Sequence, residues 1–300
     1  MAGRVVAGVD LGGTKIYTAI ADSGGALISE IMIPTNAQRG PAAVIDDIVM
    51  TIDRALSDAG LKRGRLKAVG IGAPGPVDFK TGVVEDPPNL HGWKHVSLRT
   101  ILAGKVGTVV HVDNDANLAG LAEVRFGAAV GLTEVVYVTA STGVGGGLVL
   151  GGRLYRGADG AAGEVGHMTV MPGGPLCGCG NRGCLEAVGS GTAFMKKYGY
   201  GAQEAGALAR AGDETARTQI AELAGMLGLG LANLANIFNP QAIVVGGGLS
   251  NLGPLLFVPL RKAVREYGFS VAGRNVRILR ARLGKRVGVM GAIALALDEA

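Results

Sequence analysis

Three cysteines and one histidine supply a complete set of ligands for a zinc ion. Cys177, Cys179 and Cys184 fall within eight residues, and His167 stands ten residues before the first of them. Three thiolates and one imidazole are a common tetrahedral set for Zn²⁺. Because protein ligands fill all four positions, no place remains for a reactive water, and we predict a structural zinc in this segment, the zinc knot (residues 167–186). Unliganded thiols are the alternative, whereas three closely spaced cysteines argue against a disulfide framework.

Two carboxylates are tethered to the zinc knot. Glu164 lies three residues before His167, and Glu186 lies two residues after Cys184. Side chains that only accept hydrogen bonds, held at fixed spacing, suit the neighbouring hydroxyls of a sugar. The alternative is that both are ordinary surface carboxylates. Asn89, in a turn-rich Asp-Pro-Pro-Asn-Leu segment, is open to the same two interpretations.

A second polar cluster, Asp113-Asn114-Asp115, lies where a predicted strand meets a predicted helix. A carboxylate there can take the proton from an attacking alcohol, as phosphoryl transfer requires of a well-placed base. Asp and Asn are also favoured helix N-caps, so capping alone is the alternative role for Asp113 or Asn114. The spacing does not separate the three residues, and we favour Asp115 as the base.

A glycine-rich hairpin tip, Asp10 to Lys15, is predicted between the first two strands. Glycines allow backbone N–H groups to approach an anion, and Thr14 and Lys15 add a hydroxyl and a positive charge. Asp10 is placed to hold Mg²⁺ through water, because Mg²⁺ keeps much of its hydration shell. A plain glycine turn is the alternative, and the segment does not have the spacing of a Walker A loop.

A second tip of the same kind, Ser141 to Gly147, follows a later strand. Two facing hairpin tips would clamp a polyphosphate from both sides. The triplet Gly246-Gly247-Gly248, at the end of another strand, would let a flat adenine approach the backbone. Taken alone, the triplet is equally consistent with a simple turn.

Alternating strands and helices are predicted to position these residues. Apolar runs between turn residues predict strands at 4–9, 16–21, 26–33, 68–72, 107–112, 134–140, 146–150, 242–245 and 276–281. Helical spacing predicts helices at 41–58, 116–126, 215–238, 254–267 and 287–297. The hairpin with its glycine turn occurs twice, which indicates two related α/β halves.

Composition narrows the class of protein. A chain of 300 residues can form two domains, and no run of 18 or more apolar residues or export signal is evident, so we expect a cytoplasmic protein without a membrane partner. Much of the net charge of +5 comes from basic residues late in the chain, which form no continuous run and have few aromatics among them. We therefore expect a solvated surface and no nucleic-acid partner, the alternative that a basic excess allows.

Together the motifs resemble the ROK family of repressors, uncharacterised reading frames and kinases. The resemblance covers nearly the whole chain and is most specific at Cys-Gly-Cys-Gly-Asn-Arg-Gly-Cys-Leu-Glu; within the family the chain is most similar to bacterial glucokinases. It implies an α/β fold of the actin-like ATPase (ribonuclease H-like) type, with two α/β domains around a cleft. We expect a small N-terminal domain at 1–113, completed by a C-terminal helix at 287–300. The large domain, with the zinc knot, would occupy 114–286.

The resemblance also implies a role for each site residue. Asp115 would be the catalytic base for the sugar 6-hydroxyl. The sugar would be bound by Asn89, Asn114, Asp115, Glu164, His167 and Glu186, with His167 also on zinc. ATP would be bound by Asp10, Gly12, Gly13, Thr14, Lys15, Thr142, Gly143, Gly247 and Gly248. Ser141 departs from the Gly common in glucokinases. Because the first strand is predicted to begin at Arg4, we expect no winged helix of the kind that repressor members carry.

The sequence therefore predicts a kinase that converts glucose and MgATP to glucose 6-phosphate and ADP. ATP, Mg²⁺ and structural Zn²⁺ are the expected cofactors, and we expect a homo-oligomer, either a dimer or a tetramer. The alternatives are a kinase for N-acetylmannosamine, N-acetylglucosamine, fructose or allose, and a sugar-responsive binding protein without catalysis. A dinucleotide-dependent dehydrogenase is disfavoured, because neither glycine loop passes from strand to helix with the required spacing.

Overall fold

The computed structural model describes residues 4–299; residues 1–3 and 300, which the predicted domain bounds include, lie outside the described residues. The strands are β1 (Val5–Leu11), β2 (Lys15–Ala21), β3 (Leu27–Pro34), β4 (Leu66–Ala73), β5 (Val77–Asp78), β6 (Val83–Val84), β7 (Val109–Asn114), β8 (Val135–Ala140), β9 (Val144–Leu150), β10 (Arg153–Tyr155), β11 (Ala242–Gly246) and β12 (Arg277–Arg280). The α-helices are α1 (Pro41–Asp58), α2 (Leu98–Val106), α3 (Asp115–Arg125), α4 (Leu185–Gly189), α5 (Gly191–Tyr198), α6 (Ala202–Arg210), α7 (Glu214–Phe238), α8 (Pro254–Tyr267), α9 (Ser270–Asn275) and α10 (Val287–Asp298).

The chain forms two compact units. The first contains the chain up to Phe126, Gly157–Gly160 and the segment from Lys285 onward; the second contains Gly127–Arg156 and Ala161–Gly284. The sequence-based boundary after residue 113 falls inside the first unit, because α3 packs closely against α10. The C-terminal helix α10 belongs to that unit as well.

Both units are built on a five-stranded sheet with the same topology. The order is β3-β2-β1-β4-β7 in the first unit and β10-β9-β8-β11-β12 in the second. In each, an antiparallel meander occupies one side and parallel strands the other. This repeat agrees with the two related α/β halves that the paired hairpins predicted.

The core of the first unit lies between its sheet and helices on both faces. Helix α1 buries Ile45, Ile48 and Ile52 against the sheet. On the other side α10 lies directly on β1 and β4, where a Cβ added to Gly70 would overlap the carbonyl oxygen of Ala292. Such close approach requires glycine on the strand.

Helix α7 is the central helix of the second unit. It packs against α8, α6 and α4, and its N-cap Asp213 accepts a hydrogen bond from the backbone N–H of Ala216. Its length and apolar composition would allow it to span a bilayer, but 56% of its most apolar window is buried inside the protein. Packing inside this unit therefore accounts for the apolar composition of the helix.

The predicted strands and helices all occur, with ends shifted by a few residues. Helix α1 runs from Pro41 to Asp58, as predicted. No predicted element corresponds to the short strands β5, β6 and β10 or to the helices α2, α4, α5, α6 and α9. These elements are short, and their stability comes from packing rather than from a strong local pattern.

Candidate functional site

The four predicted zinc ligands are brought together in the second unit. The ligand atoms of His167, Cys177, Cys179 and Cys184 all lie within 4.8 Å of one another. The Cys179 and Cys184 Sγ atoms are 3.7 Å apart, and Cys177 Sγ is 3.7 Å from His167 Nδ1. Tetrahedral zinc–sulfur and zinc–nitrogen bond lengths place ligand atoms about 3.5–3.8 Å apart. The donor set and its spacing therefore fit a zinc ion.

Tight turns bring these ligands together. The backbone N–H of Cys177 donates to the carbonyl of Asn181 at 2.8 Å, and Thr169 pairs with Cys184 across an isolated bridge. Gly183 has a φ of 72°, and a Cβ there would overlap the carbonyl of Met171. Only glycine fits this position, which explains its place one residue before the last cysteine.

The cysteine thiols differ in their environments. A hydrogen bond from the backbone of Asn181 is the main cause that lowers the pKa of Cys179 to about 7. Burial is the main cause that raises the pKa of Cys184 to about 12. Zinc binds thiolates, so a metal at this site would displace the Cys184 proton, and its affinity should fall as the pH falls.

The carboxylates predicted to face a sugar lie on either side of this cluster. Glu164 is exposed, and its Oε2 is 3.9 Å from His167 Nε2, while Nδ1 of the same ring faces Cys177. Glu186 Oε1 lies 3.8 Å from Cys177 Sγ, and its Oε2 accepts a hydrogen bond of 2.9 Å from the backbone N–H of Val144. The structure thus brings Glu164, His167 and Glu186 together around the zinc knot.

The second hairpin tip lies beside the knot. Ser141, Thr142 and Gly143 connect β8 to β9. The backbone N–H groups at the start of α5 support this tip: Gly191 donates to the carbonyl of Ser141 at 2.7 Å, and Thr192 donates to that of Thr142 at 3.2 Å. The start of α5 is set by its N-cap Ser190, whose side chain accepts from Ala193 N–H at 3.0 Å.

The glycine triplet after β11 lies against the same hairpin. Gly247 has a φ of 79°, and a Cβ on it would overlap the carbonyl of Ala140. A Cβ on Gly248 would lie 3.4 Å from Ser141 Oγ. The structure therefore places the predicted nucleoside-facing glycines next to the predicted phosphate turn.

The first hairpin tip is held by a residue that sequence reasoning missed. Gly12 N–H donates to the Lys15 carbonyl at 2.9 Å, closing the tip. Thr35, just after β3, donates its N–H to the Thr14 carbonyl at 3.1 Å and its hydroxyl to the Gly12 carbonyl at 2.6 Å. Gly13 packs against Asn89, whose carbonyl oxygen would be 2.7 Å from an added Cβ. Thr35 is far from the tip in sequence, so no short motif indicated it.

Asp10 lies near the end of β1, against the first turn of α10. Burial raises the pKa of its carboxyl group, and the charge of Lys15, with Nζ 3.9 Å from Oδ2, partly offsets this effect. A Cβ on Gly288 would lie 2.5 Å from Asp10 Cγ, so Gly288 leaves the space that the carboxylate occupies. A carboxylate in such surroundings is a suitable partner for a hydrated cation. Gly288 was also missed, because nothing in its local sequence connects it to Asp10.

The cluster at the start of α3 separates into different local roles. Asn114 is the N-cap of α3, and its side chain accepts from the N–H groups of Ala116 and Asn117. Asp113 is buried and accepts from Asn114 N–H at 2.8 Å and from Asn117 Nδ2 at 3.0 Å. Asp115 is exposed at the first position of the helix, with Oδ1 accepting from Ala116 N–H at 2.8 Å.

The predicted site residues belong to both units. Those in the first unit are Asp10, Gly12, Gly13, Thr14, Lys15, Asn89, Asn114 and Asp115. Those in the second unit are Thr142, Gly143, Glu164, His167, Cys177, Cys179, Cys184, Glu186, Gly247 and Gly248. In the first unit the residues lie around the hairpin tip, apart from Asn114 and Asp115, which stand at the end of β7 and the start of α3. In the second unit they lie around the hairpin tip and the zinc knot beside it.

Comparison with known proteins gives consistent matches over nearly the full length. Residues 6–299 match the family described as the ROK family. A glucokinase of Halalkalibacterium halodurans is 36% identical, with 97% of this chain and 94% of the relative covered. A protein named putative xylose repressor from Caldicellulosiruptor is 31% identical over 98% of this chain and 78% of its own length.

A crystal structure of a ROK family glucokinase from Streptomyces griseus, in complex with glucose and AMPPNP, is similar in fold. It is 36% identical, with a TM-score of 0.81, and the match covers 98% of this chain and 99% of that chain. This likeness and the repeated sheet order confirm the predicted fold class, an actin-like ATPase (ribonuclease H-like) α/β fold.

Proposed function

This chain belongs to the ROK family, and on that premise we propose that it is an ATP-dependent hexose kinase that phosphorylates glucose at the 6-hydroxyl. The products would be glucose 6-phosphate and ADP. We propose a cytoplasmic enzyme without nucleic-acid or membrane partners, assembled as a dimer or tetramer. The similarity to glucokinases over nearly the whole chain supports the proposal.

The position of Asp115 is the observation that supports catalysis most directly. Asp113 is buried and Asn114 caps α3, whereas Asp115 presents an exposed carboxylate at the start of the helix. In the proposed reaction this carboxylate orients the sugar 6-hydroxyl and accepts its proton as the oxygen attacks the γ-phosphorus of ATP. The bond between that phosphorus and the β,γ-bridging oxygen breaks, and ADP leaves.

The two hairpin tips would receive the ATP phosphates. Backbone N–H groups at Gly12, Gly13, Thr142 and Gly143, with Thr14 and Lys15, would bind the oxygens. Gly247 and Gly248 would face the nucleoside. Asp10 would hold Mg²⁺ through water, and the bound ion would neutralise phosphate charge.

Sugar hydroxyls would be bound by the carboxylates and amides already described. Glu164 and Glu186 lie beside the proposed zinc ligands His167 and Cys177, and Asn89 and Asn114 lie in the first unit. His167 would bind zinc through Nδ1 and leave Nε2 to the sugar side. We propose that the zinc is structural and takes no part in phosphoryl transfer.

Substituting the proposed base gives the sharpest test. We expect Asp115→Asn to lower kcat by about 10³-fold, within the usual range for general-base catalysis, while the Kd for glucose changes little. A coupled assay for ADP release measures the first quantity, and calorimetric titration with glucose measures the second.

Asp113→Asn is the matched control, because it removes a neighbouring charge but keeps an acceptor oxygen for Asn114 and Asn117. Its effect should fall on the melting temperature more than on kcat. Full activity in Asp115→Asn would overturn the assignment of the base.

The same ADP-release assay tests two alternative functions. A kinase for N-acetylmannosamine, N-acetylglucosamine, fructose or allose would differ by few pocket residues, and ADP release measured across this panel identifies the preferred sugar. The similarity to proteins named xylose repressors favours a sugar-responsive binding protein as the non-enzymatic alternative. That alternative predicts sugar binding without sugar-dependent ADP release.

A further inference from the structure

Glu186 contacts two different parts of the second unit at once. Its Oε1 lies 3.8 Å from the Sγ atom of Cys177, a proposed zinc ligand. Its Oε2 accepts a 2.9 Å hydrogen bond from the backbone N–H of Val144, the first residue of β9. A sugar-binding carboxylate has no need of this second contact. A zinc-bound Cys177 thiolate has no proton to donate, so Glu186 is held to the knot through the chain: Cys184, two residues earlier, is the N-cap of α4. The carboxylate thus links the knot to the end of the hairpin tip through its bond to Val144.

The hairpin tip is shaped to receive this carboxylate. A Cβ added to Gly143 would overlap Glu186 Oε2 and would lie 3.3 Å from Cδ. The φ of Gly143 is outside the left-handed region, so its backbone conformation is open to other residues. The space taken by Glu186 is then what requires glycine at this position.

The first two residues of the tip are held by backbone hydrogen bonds from the start of α5. Gly191 and Thr192 donate backbone hydrogen bonds to the carbonyls of Ser141 and Thr142. These bonds orient the first part of the tip, and Glu186 orients the part that follows. The Thr142–Gly143–Val144 turn is thus fixed from both ends by the segment that follows the last cysteine.

We propose that Glu186 is a positioning residue that holds the Thr142–Gly143–Val144 turn in the shape that receives nucleotide phosphates, with the zinc knot as its anchor. The inference rests on the proposed kinase function, and it adds nucleotide binding to the sugar-side role of this carboxylate. Its physical basis is a charge-assisted hydrogen bond that sets the direction of a backbone segment.

The contact between Gly143 and Glu186 can be tested with a double-mutant cycle on the zinc-loaded full chain. The measured quantity is the Kd for AMPPNP with Mg²⁺ and without sugar. We expect Gly143→Ala and Glu186→Ala each to weaken binding by about tenfold, the effect of losing one charge-assisted hydrogen bond. The double variant should be no weaker than Glu186→Ala alone, because the added methyl group then occupies the vacated space.

Glu186→Gln is the conservative control, because its amide oxygen can still accept from Val144 N–H. We expect its AMPPNP affinity to stay within about threefold of the wild type, even if its KM for glucose rises. Zinc content and melting temperature are measured for every variant. A variant that only lost stability would bind AMPPNP normally at a temperature where it is folded.

The outcomes separate this inference from the proposed function. Unchanged AMPPNP affinity in Glu186→Ala, or strictly additive effects in the double variant, would overturn the positioning role while leaving the kinase proposal intact. A wild-type protein that fails to bind AMPPNP and releases no ADP with any sugar would instead overturn the proposed function itself.

Discussion

The two hairpins are alike in topology but obtain a carboxylate in different ways. Each has a three-residue tip, residues 12–14 in the first unit and 141–143 in the second. In the first, Asp10 comes from β1 itself. The matching position on β8 is Thr139, and the carboxylate beside the second tip is Glu186, from α4.

Both hairpins nevertheless meet the same packing requirement. The carboxylate of Asp10 occupies the space that a side chain at Gly288 would take, and Glu186 occupies the space that a side chain at Gly143 would take. A missing Cβ makes room for a charged group in each case. A repeated topology thus sets where each tip lies, whereas the source of the carboxylate beside it differs between the two units.

Removing the proposed zinc with a chelator should disturb only the second hairpin, and we expect this to be the largest effect. Because metal binding free energy is also folding free energy, the melting temperature should fall by roughly 10 °C or more. Sugar affinity should fall with it. In hydrogen exchange, the protection factor of the Val144 amide should fall by about tenfold or more, whereas the protection factor of the Gly12 amide should not change.

Adding zinc back to the chelated protein is the control and should restore both quantities. If metal-free protein kept its native melting temperature and sugar affinity, the structural role of the knot would be wrong. Equal loss of protection at Gly12 and Val144 would mean that the two hairpins do not respond separately.

Gly288→Ala should disturb only the first hairpin, with an intermediate effect. The new methyl group would displace Asp10, and overpacking of this kind costs about 1–3 kcal/mol. Alanine is otherwise favoured over glycine in a helix, so a loss in the free energy of unfolding, measured with denaturant, points to the contact with Asp10.

Gly64→Ala is the control for Gly288→Ala, since a Cβ at Gly64 would meet open space. Adding Asp10→Ala to Gly288→Ala should remove most of the steric cost. A Gly288→Ala variant as stable as the wild type would show that Asp10 can move aside freely.

Thr35→Val should have the smallest effect. It keeps the shape of a fully buried side chain but removes the hydroxyl that donates to Gly12, which should cost about 1 kcal/mol. Thr192→Val is the matched substitution beside the second tip and should be silent, because Thr192 supports that tip through its backbone N–H. Equal losses of unfolding free energy in the two variants would contradict this difference.

Local patterns in the sequence predicted much of this structure. Apolar periodicity predicted the main strands and helices, with ends correct to within a few residues. The close spacing of the cysteines predicted the four proposed zinc ligands. Contacts between distant segments left no such pattern. Thr35 beside Gly12 and Gly288 beside Asp10 depend on how β3 and α10 pack, and this is set by tertiary structure.

The cluster at residues 113–115 shows the same limit on a smaller scale. Spacing could not distinguish a base from a helix cap among three adjacent polar residues. The hydrogen bonds of Asp113 and Asn114 distinguish them, because these depend on where α3 begins. The role of Asp115 then stays a prediction for the kinetic test.

The packing of α10 on β1 and β4 has a consequence for biosynthesis. Gly70 and Ala292 touch across more than two hundred residues of intervening chain. A ribosome must make the whole second unit before α10 can cover the first sheet. The face of the first sheet that α10 covers therefore stays without its helix until synthesis is nearly complete.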